Sequence, residues 1–382
     1  MSKYGNSDRD DPVPEERGSR FRLPLIAWLS VLFFAACTKM SPEDGVARHD
    51  GTLVRLTVSL PQPALPTRSA GAGDLSGDAE NRIEDVMILV LEQENGKYVY
   101  RYMTEGERLE STGSGAQFQA KLLSTSKPVK LMLAGNYGDA FAVYAPSPGH
   151  SEAEVKAGIG CSFTGAAQSL PMYGEIAVPS GLEADRENRF SVKMLRAVAR
   201  IDVEKDLTAD SRSLRIESVR LYRPNDKIQL APDESFAPES PRVTAPSVFA
   251  GAVKSQSPVV TETSEPDPVS VAGIYVPEAD EVADAAARLT DATCIVVGGY
   301  YDGQSQPTYY RVDFDPGLEG HPFGQILRNH RYVFRIRKVT GPGWSDPGLA
   351  AVNKATSIVA EIEPWEDFTT EMHFEGDNYI GF

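Results

Sequence analysis

The sequence predicts an all-β protein, two β-sandwich domains in tandem behind an export signal. Short alternating or wholly apolar stretches recur along the chain, turn residues separate them, and helix signals are few.

Leu53 to Leu60 alternates, with Val54, Leu56, Val58 and Leu60 on one face and Arg55, Thr57 and Ser59 on the other. That is a half-buried strand. Residues 61–77 are rich in Pro, Gly, Ala and Ser and read as an exposed loop. Val86 to Leu91 is an apolar run suited to a central strand. Asn95-Gly96 is a hairpin signal, with Tyr98-Val99-Tyr100 returning. Val129 to Ala134 is a further strand. Phe190 to Val203 reads as one long strand with an irregularity near Leu195-Arg196. A second series covers Arg215 to Tyr222, Ser270 to Val276, Cys294 to Tyr301, Tyr309 to Phe314, Arg331 to Val339 and Ser357 to Ile362. Between them, residues 224–267 are dense in Pro and Ser and are expected to loop over the surface. Short helices are expected over Glu152 to Ala157 and Ala283 to Leu289. The polar stretch Asp206 to Arg212 marks the expected domain boundary.

Ahead of these strands lies a targeting signal. Arg17, Arg20 and Arg22 precede an apolar run from Leu23 to Ala36, which is short for a membrane span and right for a signal core. It ends Phe34-Ala35-Ala36-Cys37. Small residues before a cysteine match a lipobox, where the thiol of Cys37 is diacylated after cleavage at its N-terminal side. Phe34 departs from the usual aliphatic residue, and an ordinary signal that happens to meet a cysteine is the alternative. The acidic residues Asp8, Asp10, Asp11, Glu15 and Glu16 are unlike a signal n-region, so a start further in is compatible with the sequence.

The formal net charge is −16. With no basic stripe to neutralise phosphates, nucleic acid is excluded as a partner. Cys161 and Cys294 are far apart beside apolar or small residues and read as two buried free thiols rather than a disulfide. HExxH, GxSxG, P-loop and CxxC motifs are absent. Gly158-Ile159-Gly160 lacks the third glycine of a nucleotide fingerprint. The histidines, at 49, 150, 321, 330 and 373, have no metal-ligand spacing. No catalytic residue, cofactor or metal is indicated.

Three segments together resemble the fimbrillins of type V pili, the Porphyromonas-type fimbrial subunits. The first runs from the lipobox through the alternating strand and Thr67-Arg68-Ser69-Ala70-Gly71 to the strand from Glu80-Asn81 to Leu91. The second is Leu195-Arg196-Ala197-Val198-Ala199-Arg200-Ile201. The third is Arg328-Asn329-His330-Arg331-Tyr332, then Gly341-Pro342-Gly343, then Pro364-Trp365. The glycines also read as a tight turn leaving a strand, and Trp365 as a core anchor.

The resemblance implies two transthyretin-like β-sandwiches and a particular maturation. Residues 1–36 would be the lipoprotein signal and 37–68 a propeptide carrying the first strand. Residues 69–208 and 209–382 would be the two domains. The precursor would sit in the outer membrane through its lipid. An arginine-specific protease would cut between Arg68 and Ser69. Loss of Val54, Leu56, Val58 and Leu60 would open a groove in the first domain. The tail of another fimbrial subunit would fill it, and Phe368, Met372, Phe374, Ile380 and Phe382 share one face of that tail. A solvated loop arginine at 68, and a last strand that stays in its own domain, are the bland readings of those two features. The competing function is an outer-surface, glycan-binding β-sandwich lipoprotein that does not polymerise. An exposed row drawn from Tyr300, Tyr301, Tyr309 and Tyr310 would favour it.

Overall fold

The computed structural model describes residues 52–59, 80–112, 115–165, 169–184, 187–206, 213–233, 243–315, 317, 321–355 and 357–365. The first half contains β1 (Thr52–Ser59), β2 (Val86–Glu94), β3 (Lys97–Glu105), β4 (Glu107–Thr112), β5 (Gly115–Leu122), β6 (Val129–Gly135), α1 (Ala140–Val143), α2 (Glu152–Gly158), β7 (Gly160–Ser162), β8 (Met172–Val178), β9 (Asn188–Lys193) and β10 (Leu195–Arg196). The second half contains β11 (Val198–Lys205), β12 (Leu214–Tyr222), β13 (Lys227–Gln229), β14 (Val259–Glu262), β15 (Ser270–Pro277), α3 (Arg288–Asp291), β16 (Cys294–Tyr301), β17 (Thr308–Asp313), β18 (Arg331–Val339), α4 (Pro347–Ala351) and β19 (Ile358–Trp365).

The first sandwich has one sheet in the order β4-β5-β1-β9 and a second in the order β10-β8-β6-β2-β3. Val86 to Leu91 is buried at every position because both faces of β2 are covered. Asn95 and Gly96 both take positive φ, 50° and 80°, as the two-residue hairpin into β3 requires. Helix α2 starts with a full capping box, Ser151 and Glu154 each satisfying the other's backbone N–H. It lies over β6 and β8, where Lys156 pairs with Glu175 at 2.9 Å and Glu152 with Lys130 at 2.7 Å.

The second sandwich pairs β15-β11-β18-β19 with β14-β12-β16-β17. Its core is centred on Phe314, which meets Phe334 and Tyr332 edge-on at 5.0 and 5.4 Å. Along β18, Tyr332, Phe334 and Ile336 are buried as the alternation requires, and Val333 is buried as well. Cys161 and Cys294 are free and buried, and burial pushes their thiols up to about 12 and about 11. Gly343 leaves no room for a side chain: a Cβ there would lie 2.3 Å from the Tyr309 carbonyl oxygen.

The all-β class and most strands stand where the sequence puts them, and four expectations do not. Phe190 to Val203 is not one strand. It divides into β9, β10 and β11, which belong to three different sheets, and the chain passes from the first sandwich to the second at Ala197. The polar stretch at 206–212 was expected to carry that boundary, yet it lies in the connection between β11 and β12. Residues 224–267 do not simply loop over the surface. Strand β13 pairs with β7, and Ile228, Leu230 and Ala231 are buried in the first sandwich's core. The helix expected over 283–289 is the single turn α3, because Asp284 caps a tight turn through the Ala286 and Ala287 N–H groups instead.

Candidate strand-exchange site

The feature with functional potential is the seat of β1. This strand lies inside its sheet, antiparallel to β5 and parallel to β9. Its pleat sends Val54, Leu56 and Val58 inward, and all three are fully buried. Burying three such side chains contributes about 5–9 kcal/mol. Leu56 sits between Phe118 on β5 and Phe190 on β9. The ladder is tightest at Gly115, whose added Cβ would fall 2.2 Å from the Val58 carbonyl oxygen. Thr52 Oγ1 donates to the carbonyls of Glu183 (2.5 Å) and Ala184 (3.1 Å) at one end. At the other end the Ser59 carbonyl accepts from the Met194 N–H at 2.9 Å. On the outer face Arg55 pairs with Glu187 at 2.8 Å, partly exposed and so weak.

Downstream, the chain re-enters the described region at Glu80, in a polar junction between the sandwiches. The Glu80 carboxylate accepts from Arg200 at 2.6 Å and from the Tyr275 hydroxyl. Arg196 donates to the Glu80 carbonyl (3.1 Å), to Asn81 and to Asn329 (3.1 Å). Burial pushes the Arg196 guanidinium below its ordinary range. Burial also drives the Tyr275 hydroxyl well up, with the Glu80 charge adding to it. At Arg200 burial opposes the charge, but Asp202 and Glu80 outweigh it and raise the pKa. A second connection is Arg328, fully buried, which meets Glu278 at 2.6 Å and donates to the Gln229 (2.8 Å) and Leu230 (2.6 Å) carbonyls. Since Leu230 packs in the first core and Glu278 follows β15, this ion pair joins the two sandwiches.

The segment 328–332 singled out in the sequence is therefore junction machinery: Arg328 bridges, Asn329 accepts from Arg196, and the Tyr332 hydroxyl accepts from the Leu327 N–H. Arg196, the partner of Asn329, lies in the second segment singled out in the sequence, but nothing in the sequence pattern marks Glu278 as the partner of Arg328. Of the predicted site residues, Val54, Leu56 and Val58 are brought together on one buried face. Cys37, Leu60, Arg68, Ser69, Phe368, Met372, Phe374, Ile380 and Phe382 lie outside the described residues, as does the Trp365 side chain. The tyrosines do not form a bare row. Tyr310 is buried, Tyr301 packs on the second core, and Arg215 and Arg220 cover Tyr300 and Tyr309 at 4.4 and 5.2 Å. Among the described residues no cluster of His, Cys, Asp or Glu could hold a metal.

No known family profile matches the chain, and no curated protein matches its sequence. Solved structures do. A candidate cell adhesion protein from Parabacteroides distasonis aligns with a TM-score of 0.52 at 12% identity, over 82% of this chain and 98% of that one. A second from the same organism aligns with a TM-score of 0.49 at 16% identity, over 82% and 97%. The tip fimbrial protein Mfa3 from Porphyromonas gingivalis, with its C-terminus truncated, gives 0.46 at 14% identity, over 82% and 98%. This chain shares its fold with the first of these over 82% of its length.

Proposed function

We propose that this chain is a structural subunit of a cell-surface fimbria that supports adhesion and assembles by exchanging its first strand. The observation that carries the reading is the seat of β1: an inner strand with three fully buried aliphatic side chains, joined to the rest of its sandwich only through residues 60–85, which carry Arg68. A cut between Arg68 and Ser69 turns β1 from a tethered strand into a ligand. Its effective concentration then drops from the millimolar range of a flexible tether to that of a free peptide. An incoming strand can replace it by main-chain pairing and by filling the Val54, Leu56 and Val58 positions. The tail face of Phe368, Met372, Phe374, Ile380 and Phe382 from another subunit supplies such side chains.

In this reading Cys37 carries the lipid that holds the precursor in the outer membrane, and an arginine-specific protease is the maturation partner. The maturation scheme follows, with 37–68 removed and the new N-terminus at Ser69. The glycan-binding alternative draws less support, since Tyr310 is buried, Tyr301 packs on the second core, and Tyr300 and Tyr309 are stacked under arginines. The test is to treat purified precursor with an arginine-specific protease and follow its size. Wild type should form a ladder of multimers and Arg68→Ala should stay monomeric with unchanged thermal stability. Ladders from Arg68→Ala at the wild-type rate would contradict the reading.

A further inference from the structure

Emptying the β1 seat has a consequence set by topology. Among the described strands, β1 is the one sheet neighbour of β9, at the end of the order β4-β5-β1-β9. The corresponding strand of the second sandwich, β18, stands between β11 and β19 and has a ladder on both sides. Without β1, β9 loses its only ladder among the described strands and keeps side-chain contacts: Val192, buried, Phe190, partly buried, and Asn188, which exchanges hydrogen bonds with the Glu183 backbone at 3.0 Å. A strand held by side chains and no ladder is marginal. Strand β9 continues through Met194, whose N–H donates to the last residue of β1, straight into Arg196. Arg196 is the residue that ties Glu80, Asn81 and Asn329 together at the sandwich junction.

We propose that β9 is a latch, ordered only by whichever strand occupies the β1 seat, so that occupancy of the seat sets the order of the sandwich junction through Met194 and Arg196. Two properties follow. The replacing strand must run in the direction of β1, antiparallel to β5 and parallel to β9, because only that direction reproduces both ladders. Release of β1 ahead of its replacement leaves β4-β5 and β9 separated, so the exchange proceeds by progressive displacement rather than through an empty groove. The role in assembly rests on the exchange reading, but the coupling itself is a property of the uncut chain and is tested there.

Hydrogen exchange of the full chain read by mass spectrometry provides the test, using Leu56→Ala and the milder Val58→Ala to open β1 locally. Amides of Arg189 to Val192 should lose protection by the same factor as those of β1, about tenfold or more. Residues 196–200 should follow with a smaller loss, and the core of β18, Tyr332 to Ile336, should change less than the first two. Addition of a synthetic peptide spanning residues 52–60 to the Leu56→Ala protein should restore protection at β9. The same peptide with Asp at the Val54, Leu56 and Val58 positions should not. If β9 keeps its protection while β1 opens, or if β18 opens in step with β1 in both variants, the latch is wrong even where protease-triggered assembly succeeds. Failure of assembly with β9 tracking β1 would instead overturn the exchange reading and leave the latch standing.

Discussion

The two sandwiches are built on one plan. In each, the first strand is antiparallel to one neighbour and parallel to the other, β1 between β5 and β9, β11 between β15 and β18. In each, the facing sheet opens with a long strand paired on both sides, β2 with β3 and β6, β12 with β14 and β16. They differ in how the first strand is tied down. Strand β11 follows directly on the crossover at Ala197 and reaches β12 through residues 206–213. Strand β1 reaches β2 only through residues 60–85. The second sandwich also carries β19 on the outer side of β18, whereas β9 has no such cover among the described strands. Equal burial therefore has unequal meaning. Ile201 and Leu56 are both fully buried at the centre of a first strand, yet in the exchange reading proposed above only Leu56 belongs to a strand that one cut in a connection makes replaceable.

The comparison is broken hardest at those two residues. Ile201→Ala should lower the global stability of cut and uncut protein alike by about 2–5 kcal/mol, measured by denaturant unfolding. Leu56→Ala should cost a similar amount before cutting. After cutting it should instead speed departure of β1, visible as faster uptake of a competing strand. Next in size is the junction. Arg328→Ala leaves Glu278 buried without its partner and should cost about 3–5 kcal/mol, splitting one unfolding transition into two. Smaller effects separate the sandwiches again. Gly115→Ala and Gly343→Ala each place a methyl against a carbonyl oxygen and should each cost about 1–3 kcal/mol. Only Gly115→Ala should loosen β1, with the faster local exchange appearing at Val54 to Val58. Least of all, Arg55→Ala removes a partly exposed pair with Glu187 and should change stability by about 0.2–1 kcal/mol, less at high salt.

How legible each region was in the sequence follows from the kind of interaction that builds it. The alternation of Val54, Leu56 and Val58 foretold both the strand and its buried face, because a period of two is a local property. The hairpin at Asn95-Gly96 and the capped helix α2 were equally local. Phe190 to Val203 misled because its apolar residues continue without a break while the chain changes sheet at Met194 and Ala197. Those two residues are buried like strand residues, and only the topology says which sheet claims them. The insertion of Ile228, Leu230 and Ala231 into the first core was hidden by the surrounding Pro, Asp and Ser. The junction was half visible: Glu80-Asn81, Leu195 to Ile201 and Arg328-Asn329-His330-Arg331-Tyr332 stood out in separate segments, but nothing in them says that they meet, and Glu278 carries no pattern. Long-range ion pairs of this sort are fixed by the fold and leave no periodic trace.

Competition for the β1 seat tests the central claim most directly. A fluorescently labelled peptide with the sequence of residues 368–382 is added to precursor before and after cleavage at Arg68, and its anisotropy is followed over hours. Uncut protein should show no uptake, since the tethered strand outcompetes a free peptide at micromolar concentration. Cut protein should take up the label slowly, release the segment that ends at Arg68 and carries β1 in equal amount, and be blocked by excess unlabelled peptide. Uptake at the same rate by cut and uncut protein, or none by cut protein that has already lost its first strand, would contradict the account.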